Sequence, residues 1–195
     1  NTKRIGLLAL INEAGIIKDK IGTYEIGFIL APRLNALGRI DNAMDALRLL
    51  CTKDKVKAEK LANRLNLINL ERQKLTEETT LHAKINSQLT THNKKLIFIS
   101  SEAYNQGVIG LAAGRLVEEF YRPAIVVSKG RVFSKASARS ISGFNIVEAI
   151  RSCAELLVDV GGHPMAAGFT VETEKLLLLE EKLQNFASQN IKDED

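Results

Sequence analysis

Short apolar stretches broken by single glycines and prolines open the chain, and they predict helices. Residues 3–14 read as an apolar helix closed by Gly15, and residues 22–31 as a second one stopped by Pro32. The stretch from Pro32 to Arg39 is then expected as a loop or turn, with Asp41 as N-cap of a helix through Leu50. From Lys53 to about Thr90 the chain has neither Pro nor Gly. Leu61, Leu65, Ile68 and Leu75, followed by Leu81, Ile85 and Leu89, fall on one stripe of a helix. Such a helix, roughly 37 residues and about 55 Å long, exceeds what a compact domain needs and is expected to bridge two lobes.

After Asn93 the period changes. Residues 96–100 form a short β-branched run that reads as a buried strand, and residues 107–121 a glycine-spaced helix. Pro123 introduces a second strand over 124–127, and residues 131–137 suggest a third. A helix over about 144–157, a Gly161-Gly162-His163-Pro164 loop, a strand near 169–171 and an amphipathic helix over about 175–188 complete the pattern, with 192–195 expected to fray. Strands alternating with helices describe an α/β lobe.

Composition narrows the class. The 195 residues are 45% hydrophobic and 26% charged, ample for a packed core, and no apolar run approaches a membrane span. Cys51 and Cys153 stand alone, which predicts neither a disulfide nor a cysteine metal site, and a reducing, cytoplasmic setting. The chain opens on Asn1 and carries no signal-peptide pattern, as expected of a piece of something longer. The formal charge of +4 is uneven: residues 51–95 hold 10 basic and 5 acidic groups, residues 171–195 hold 3 and 7, and the first 170 residues stand at +8. A basic stripe fits either a polyanion partner or a solvated helix surface. With no Trp and 5% aromatics, stacking platforms are not indicated, and phosphate contacts are favoured over base readout.

Four constellations stand out. In Pro32-Arg33-Leu34-Asn35-Ala36-Leu37-Gly38-Arg39, two guanidiniums six apart in a turn, with Asn35 between them, suit a phosphate or carboxylate. The alternative is a helix-ending turn whose arginines pair with Asp41, Asp45 or Glu25. In Ala136-Ser137-Ala138-Arg139-Ser140, hydroxyls flank an Arg where a strand gives way to a helix, either an anion cradle or a Ser-rich cap. In Gly161-Gly162-His163-Pro164-Met165-Ala166-Ala167-Gly168, small residues around His163 admit a close-approaching ligand. Gly107-Val108-Ile109-Gly110-Leu111-Ala112-Ala113-Gly114-Arg115 lacks both dinucleotide and P-loop spacing and is assigned to packing against the sheet, the alternative being that its N-terminal amides face a ligand cleft. No metal-ligand spacing occurs, His82 and His92 look solvated, and the two cysteines look like apolar fillers.

In this order the motifs resemble the RecJ family of single-strand-specific DNA exonucleases, within the DHH phosphoesterase superfamily. The resemblance covers nearly the whole chain. It rests on residues 27–39, 65–73 and 107–110, on Ser137-Ala138-Arg139-Ser140-Ile141, and on Gly161-Gly162-His163 with Ala166-Ala167-Gly168. Ala136, where a glycine is usual, and Asn105, where many members have His, depart from it.

The resemblance implies an α/β protein: a helical remnant of the DHH catalytic domain over 1–50, a long connecting helix over 51–95, and a DHH-associated substrate-binding domain with a small mixed sheet over 96–190. It implies 5′→3′ hydrolysis of single-stranded DNA in repair and recombination, with Mn2+ or Mg2+ in the full-length enzyme held upstream of this chain. No catalytic or metal residue is then expected here, and the chain alone is expected to be inactive. Implied phosphate and DNA contacts are Arg33, Asn35, Arg39, Ser137, Arg139, Ser140, Gly161, Gly162 and His163. Single-stranded DNA, the missing DHH domain and a single-strand-binding protein are the implied partners, with no membrane. Two other readings remain: a DHH-type phosphoesterase for oligoribonucleotides or cyclic dinucleotides, and a non-catalytic nucleic-acid-binding module.

Overall fold

A computed structural model describes residues 2–17, 20–90 and 94–191; His92, Asn93 and the tail 192–195 lie outside the described residues. The chain divides into two compact units, 1–75 and 76–195, with the division inside one helix.

The first unit is helical. Helix α1 (Ile5–Glu13) ends before Gly15, whose φ of +67° turns the chain left-handed as expected of a glycine after a helix. The next helix does not stop at Pro32. A π-helical turn (Glu25–Leu30) runs directly into α2 (Ala31–Ile40), with Pro32 in its first turn. Pro32 has no N–H to donate back into the π turn, but its fixed φ suits the helix and the irregular turn before it absorbs the lost bond, so it continues the element instead of ending it. Helix α3 (Met44–Cys51) begins later than expected and without a side-chain cap. Asp41 instead accepts from Asn42 N and pairs with Arg64 at 2.8 Å.

Helix α4 (Lys55–Thr90) is as long as its missing Gly and Pro suggest. Leu10, Leu30, Leu37 and Leu49 pack with Ala58, Ala62 and Leu65 on its first half. A Cβ on Gly6 would stand 1.7 Å from Leu49 O, so only glycine lets α1 lie this close to α3. Arg64 also reaches Asp45 at 2.8 Å, joining α4 to α3. The apolar stripe predicted for the second half of α4 is not the buried one. Leu81 and Ile85 are half exposed, while Thr76, Thr79, Ala83 and Ser87 are buried. Small and hydroxylic residues occupy the buried face there, some hydroxyls returning to the helix's own carbonyls, as Thr80 does to Thr76 O at 2.7 Å.

The second unit is an α/β layer structure. Strands β1 (Ile97–Ser101) and β2 (Ala124–Ser128) are parallel and joined through helix α5 (Ile109–Phe120). Strands β3 (Phe133–Arg139), β4 (Leu157–His163) and β5 (Ala166–Glu172) complete a mixed five-stranded sheet in the order β1-β2-β3-β5-β4. Helices α6 (Ile146–Arg151) and α7 (Leu176–Asn190) cover one face, burying Ala136, Ala138, Ala167, Phe169 and Val171 against Ile146, Ile150, Leu179 and Leu183. Ile109, Ala112, Ala113 and Leu116 of α5 cover Ile97, Ile99, Ala124 and Val126 on the other. The α/β class and small mixed sheet follow the expectation. Two expectations differ: the helix expected over about 144–157 ends at Arg151, with Leu157 already in β4, and Gly161, Gly162 and His163, whose glycines weaken the β signal, form an edge strand, not a loop.

Tyr104, 5% exposed, packs in the α5 layer with its hydroxyl 2.7 Å from Nδ1 of His82, which is exposed as expected but anchored by this bond. Burial pushes the Tyr104 phenol up to about 12. The folded chain thus holds the proton more tightly than the unfolded one, whose tyrosine titrates near 10. The resulting stability is complete below pH 10 and is lost as pH rises from 10 to 12, by about 2–3 kcal/mol. Urea unfolding across that range should show the decline, and Tyr104→Phe should remove it. Burial also raises the Cys153 thiol, whereas Cys51 is exposed and fills no core.

Candidate nucleic-acid interface

Alternation along β3 and β5 divides each strand into a buried row and an open one. Ser134, Ala136 and Ala138 of β3, and Ala167, Phe169 and Val171 of β5, are buried. The opposite face carries Lys135, Ser137 and Arg139, paired in register with Thr170, Gly168 and Ala166 of β5. Those residues pair in turn with Asp159, Gly161 and His163 of β4. Side chains at paired positions share a face, so three rows cross the open side of the sheet: Lys135–Thr170–Asp159, Ser137–Gly168–Gly161 and Arg139–Ala166–His163. The middle of this face has almost no side chain. Arg139 and His163 flank it, about 10 Å apart across β5 at the usual strand spacing.

The start of α5 overhangs the same rows. A Cβ on Gly110 would stand 2.8 Å from Ser137 Oγ and 3.1 Å from Arg139 Nη2. Helix α5 begins at Ile109, with Val108 as its N-cap residue and no side-chain cap, and the positive end of its dipole meets the Ser137–Arg139 pair. The sequence suggested that such a helix end would come from the segment after Ser140. There, however, Asn145 Oδ1 caps the first turn of α6 by accepting from Glu148 N at 3.3 Å. The glycine motif supplies the helix end, the alternative the sequence offered, and Gly110 packs closely on β3 as its assignment to packing expects, whereas Gly114, whose Cβ would meet nothing within 4 Å, does not.

Arg139 is held ready. Its Nη1 donates to Ala138 O at 2.8 Å and to Ser137 Oγ at 3.3 Å. Ser137 and Arg139 thus form one cluster of donors under a helix start, suited to a tetrahedral anion. Ser140 points the other way. Buried, its hydroxyl donates to Phe144 O at 2.6 Å and its N–H to Met165 O at 3.0 Å. Together with Ile146 N, which donates to Pro164 O at 3.0 Å, it fixes the β4–β5 turn and therefore the position of His163. Gly162 pairs with Ala167 on the helix-covered side and has φ +149°. Gly161 lies on the open side, where a Cβ would touch nothing within 4 Å.

In the helical unit, the turn expected to hold Arg33, Asn35 and Arg39 together is α2. At 100° per residue Arg33 lies about 200° from Asn35 and about 120° from Arg39, while Asn35 and Arg39 share a side. Arg33 Nε donates to Asn66 Oδ1 at 3.0 Å and Nη1 to Ile29 O at 2.8 Å, so none of the acidic partners proposed from sequence takes these donors. Asn35 and Arg39 are exposed. Glu25 accepts from Gly22 N, and that bond holds its carboxyl below the usual range.

Lys135, Asp159, Gln106 and Thr170 border the site and were not singled out from sequence, although Lys135 lies two residues from Ser137 on an evident strand. Among the described residues no three His, Cys, Asp or Glu side chains come together as metal ligands, and no helix is long and apolar enough to cross a membrane. Substituting Gly110 with Ala tests the geometry of the helix start. A Gly-to-Ala change inside a helix favours folding by about 1 kcal/mol, so the melting temperature should hold or rise. Affinity for a phosphate-bearing ligand, read by fluorescence anisotropy, should fall about tenfold as the new methyl displaces Ser137 and Arg139.

Known proteins resemble this chain along nearly its whole length. The DHHA1 domain model matches residues 93–192. The single-stranded-DNA-specific exonuclease RecJ of Bacillus subtilis is 39% identical over 196 residues, covering 100% of this chain and 25% of that protein. RecJ of Thermus thermophilus is 34% identical over 94% of this chain and 26% of its own length. The crystal structure of Thermus thermophilus RecJ with Mn2+ superposes with a TM-score of 0.87 at 31% identity, over 98% of this chain and 28% of that one. The chain thus spans about a quarter of the length of these relatives.

Proposed function

The chain belongs to the DHHA1 domain family, and we propose that it is the substrate-gripping part of a RecJ-like exonuclease acting 5′→3′ on single-stranded DNA. The observation that carries this reading is the open β3–β5–β4 face, where Ser137, Arg139 and the start of α5 converge beside a floor of Gly168, Ala166 and Gly161. A terminal phosphate on the Ser137–Arg139 cluster would lay the following backbone across that floor, toward His163. The relatives are single-stranded-DNA-specific exonucleases, which supplies the polymer.

Asn35 and Arg39 on the exposed side of α2 are proposed backbone contacts, with Arg33 contributing its remaining Nη2 donors. Ser140 and Gly162 serve the site by holding the β4–β5 hairpin. The proposed division keeps residues 1–50 with the catalytic domain, 51–95 as connector and 96–190 as substrate-binding domain; the family match over 93–192 supports its last boundary. A cytoplasmic setting, a DHH domain and a single-strand-binding protein as partners, and a role in repair and recombination belong to the same reading. RecJ structures are described with Mg2+ and with Mn2+. Among the described residues no three potential ligands gather, and the proposal assigns the ion's ligands to other parts of the full-length enzyme.

Titrating the chain into a 5′-phosphorylated single strand with manganese present tests this reading. Binding should weaken with salt, with a log–log slope of about −0.7 per phosphate contact, and the strand should stay intact. Robust shortening of the strand would overturn the assignment of catalysis to other residues. Equal affinity for blunt duplex would overturn the single-strand reading.

A further inference from the structure

Beside the phosphate cluster lies an open cavity of about 480 Å³, lined among others by Gln106, Ile109, Lys135, Ser137, Asp159 and Thr170. Its size falls within the range of small-molecule sites. Its chemistry differs from that of the phosphate end. Asp159 is a carboxylate on a face otherwise built for anions, placed there by a register shift between Leu157 and Asp159 that turns it toward Thr170. A phosphate would be repelled at this position, and a hydrogen-bond donor would be attracted.

Resting on the nucleic-acid reading above, we infer that this cavity takes the base of the nucleotide whose phosphate sits on Ser137 and Arg139. Asp159, with Gln106 and Thr170 beside it, reads the base's hydrogen-bonding edge. The Lys135–Thr170–Asp159 row lies one side-chain repeat from the Ser137 row, about 6.8 Å along the strands, a span of the order of a single nucleotide. Ile109 adds an apolar edge to the lining, and Lys135 a second cation beside Ser137. A carboxylate accepts well from the cytosine amino group, whereas thymine turns a carbonyl oxygen to the same place. The site is therefore selective: it favours an amino-bearing pyrimidine over thymine, without aromatic stacking.

Competition between 5′-phosphorylated tri-deoxycytidylate and tri-thymidylate for the full chain tests this, in wild type and Asp159→Asn. Wild type should prefer the cytosine strand about fivefold. Asp159→Asn should bind the thymine strand more tightly than wild type, because repulsion is relieved, and its preference should fall below twofold. An unchanged preference in the variant, or none in wild type while the 5′-phosphate still strengthens binding, would overturn the base subsite alone. Absence of any 5′-phosphate effect in wild type would overturn the phosphate reading and the subsite with it. Uniformly tighter binding of ribo- over deoxy-oligonucleotides, abolished in Asp159→Asn, would reassign the carboxylate to a sugar hydroxyl and overturn the base assignment.

Discussion

Arg139→Ala should weaken binding of a 5′-phosphorylated single strand about 10- to 100-fold and reduce the salt slope by about 0.7. The side chain lies on the open face with its guanidinium fixed by Ala138 O and Ser137 Oγ, under the start of α5. Little ordering is left to do when the anion arrives, so most of the charge-assisted bonding appears as affinity. Arg139→Lys should recover only part of the loss, since an ammonium keeps the charge but not the forked donors. The fold should survive both changes, because Ala138 and Ala136, not Arg139, face the core. Anisotropy titrations at several salt concentrations, with circular dichroism as the fold control, provide the readout. Affinity within twofold of wild type would remove Arg139 from the phosphate site.

Adjacent glycines should behave oppositely. Gly162→Ala places a methyl 2.4 Å from Ala166 O and 2.5 Å from Ala167 Cα, at a residue whose φ of +149° disfavours any side chain. Backbone, not a flexible side chain, is what the methyl meets, so the β4–β5 pairing has to open. The expected cost is about 2–4 kcal/mol, seen as a melting temperature lower by about 4–16 °C. Gly161→Ala meets nothing within 4 Å and should melt as wild type does. Its methyl would rise from the floor between Ser137 and His163, and DNA binding should drop about tenfold. A stable Gly162→Ala, or a Gly161→Ala that binds normally, would contradict this division of labour.

The alternation of helices and strands was legible because period and breakers agree over most of the chain, and the residues of the open face were legible as types. Their arrangement was less so, for particular physical reasons. Pro32 reads locally as a helix stop, and only the π turn running into α2 makes it a first-turn proline. That reversal disperses Arg33, Asn35 and Arg39 around a helix. Gly161, Gly162 and His163 read as a loop because glycine lacks strand propensity, yet pairing with β5 fixes them as an edge strand. Leu81 and Ile85 read as core, but the buried face of α4 there is made of Thr, Ala and Ser. Gly110 faces Ser137 and Arg139 through a contact between residues far apart in sequence, which no local pattern encodes. Asp159 reaches the site through a strand irregularity that likewise has no local signature.

The most direct measurement is the ratio of dissociation constants of this chain for one single strand carrying a 5′-hydroxyl and the same strand carrying a 5′-phosphate. An anion site at Ser137 and Arg139 predicts at least tenfold tighter binding of the phosphorylated strand, with the ratio falling toward one in Arg139→Ala. A ratio near one in the wild-type chain would contradict the account.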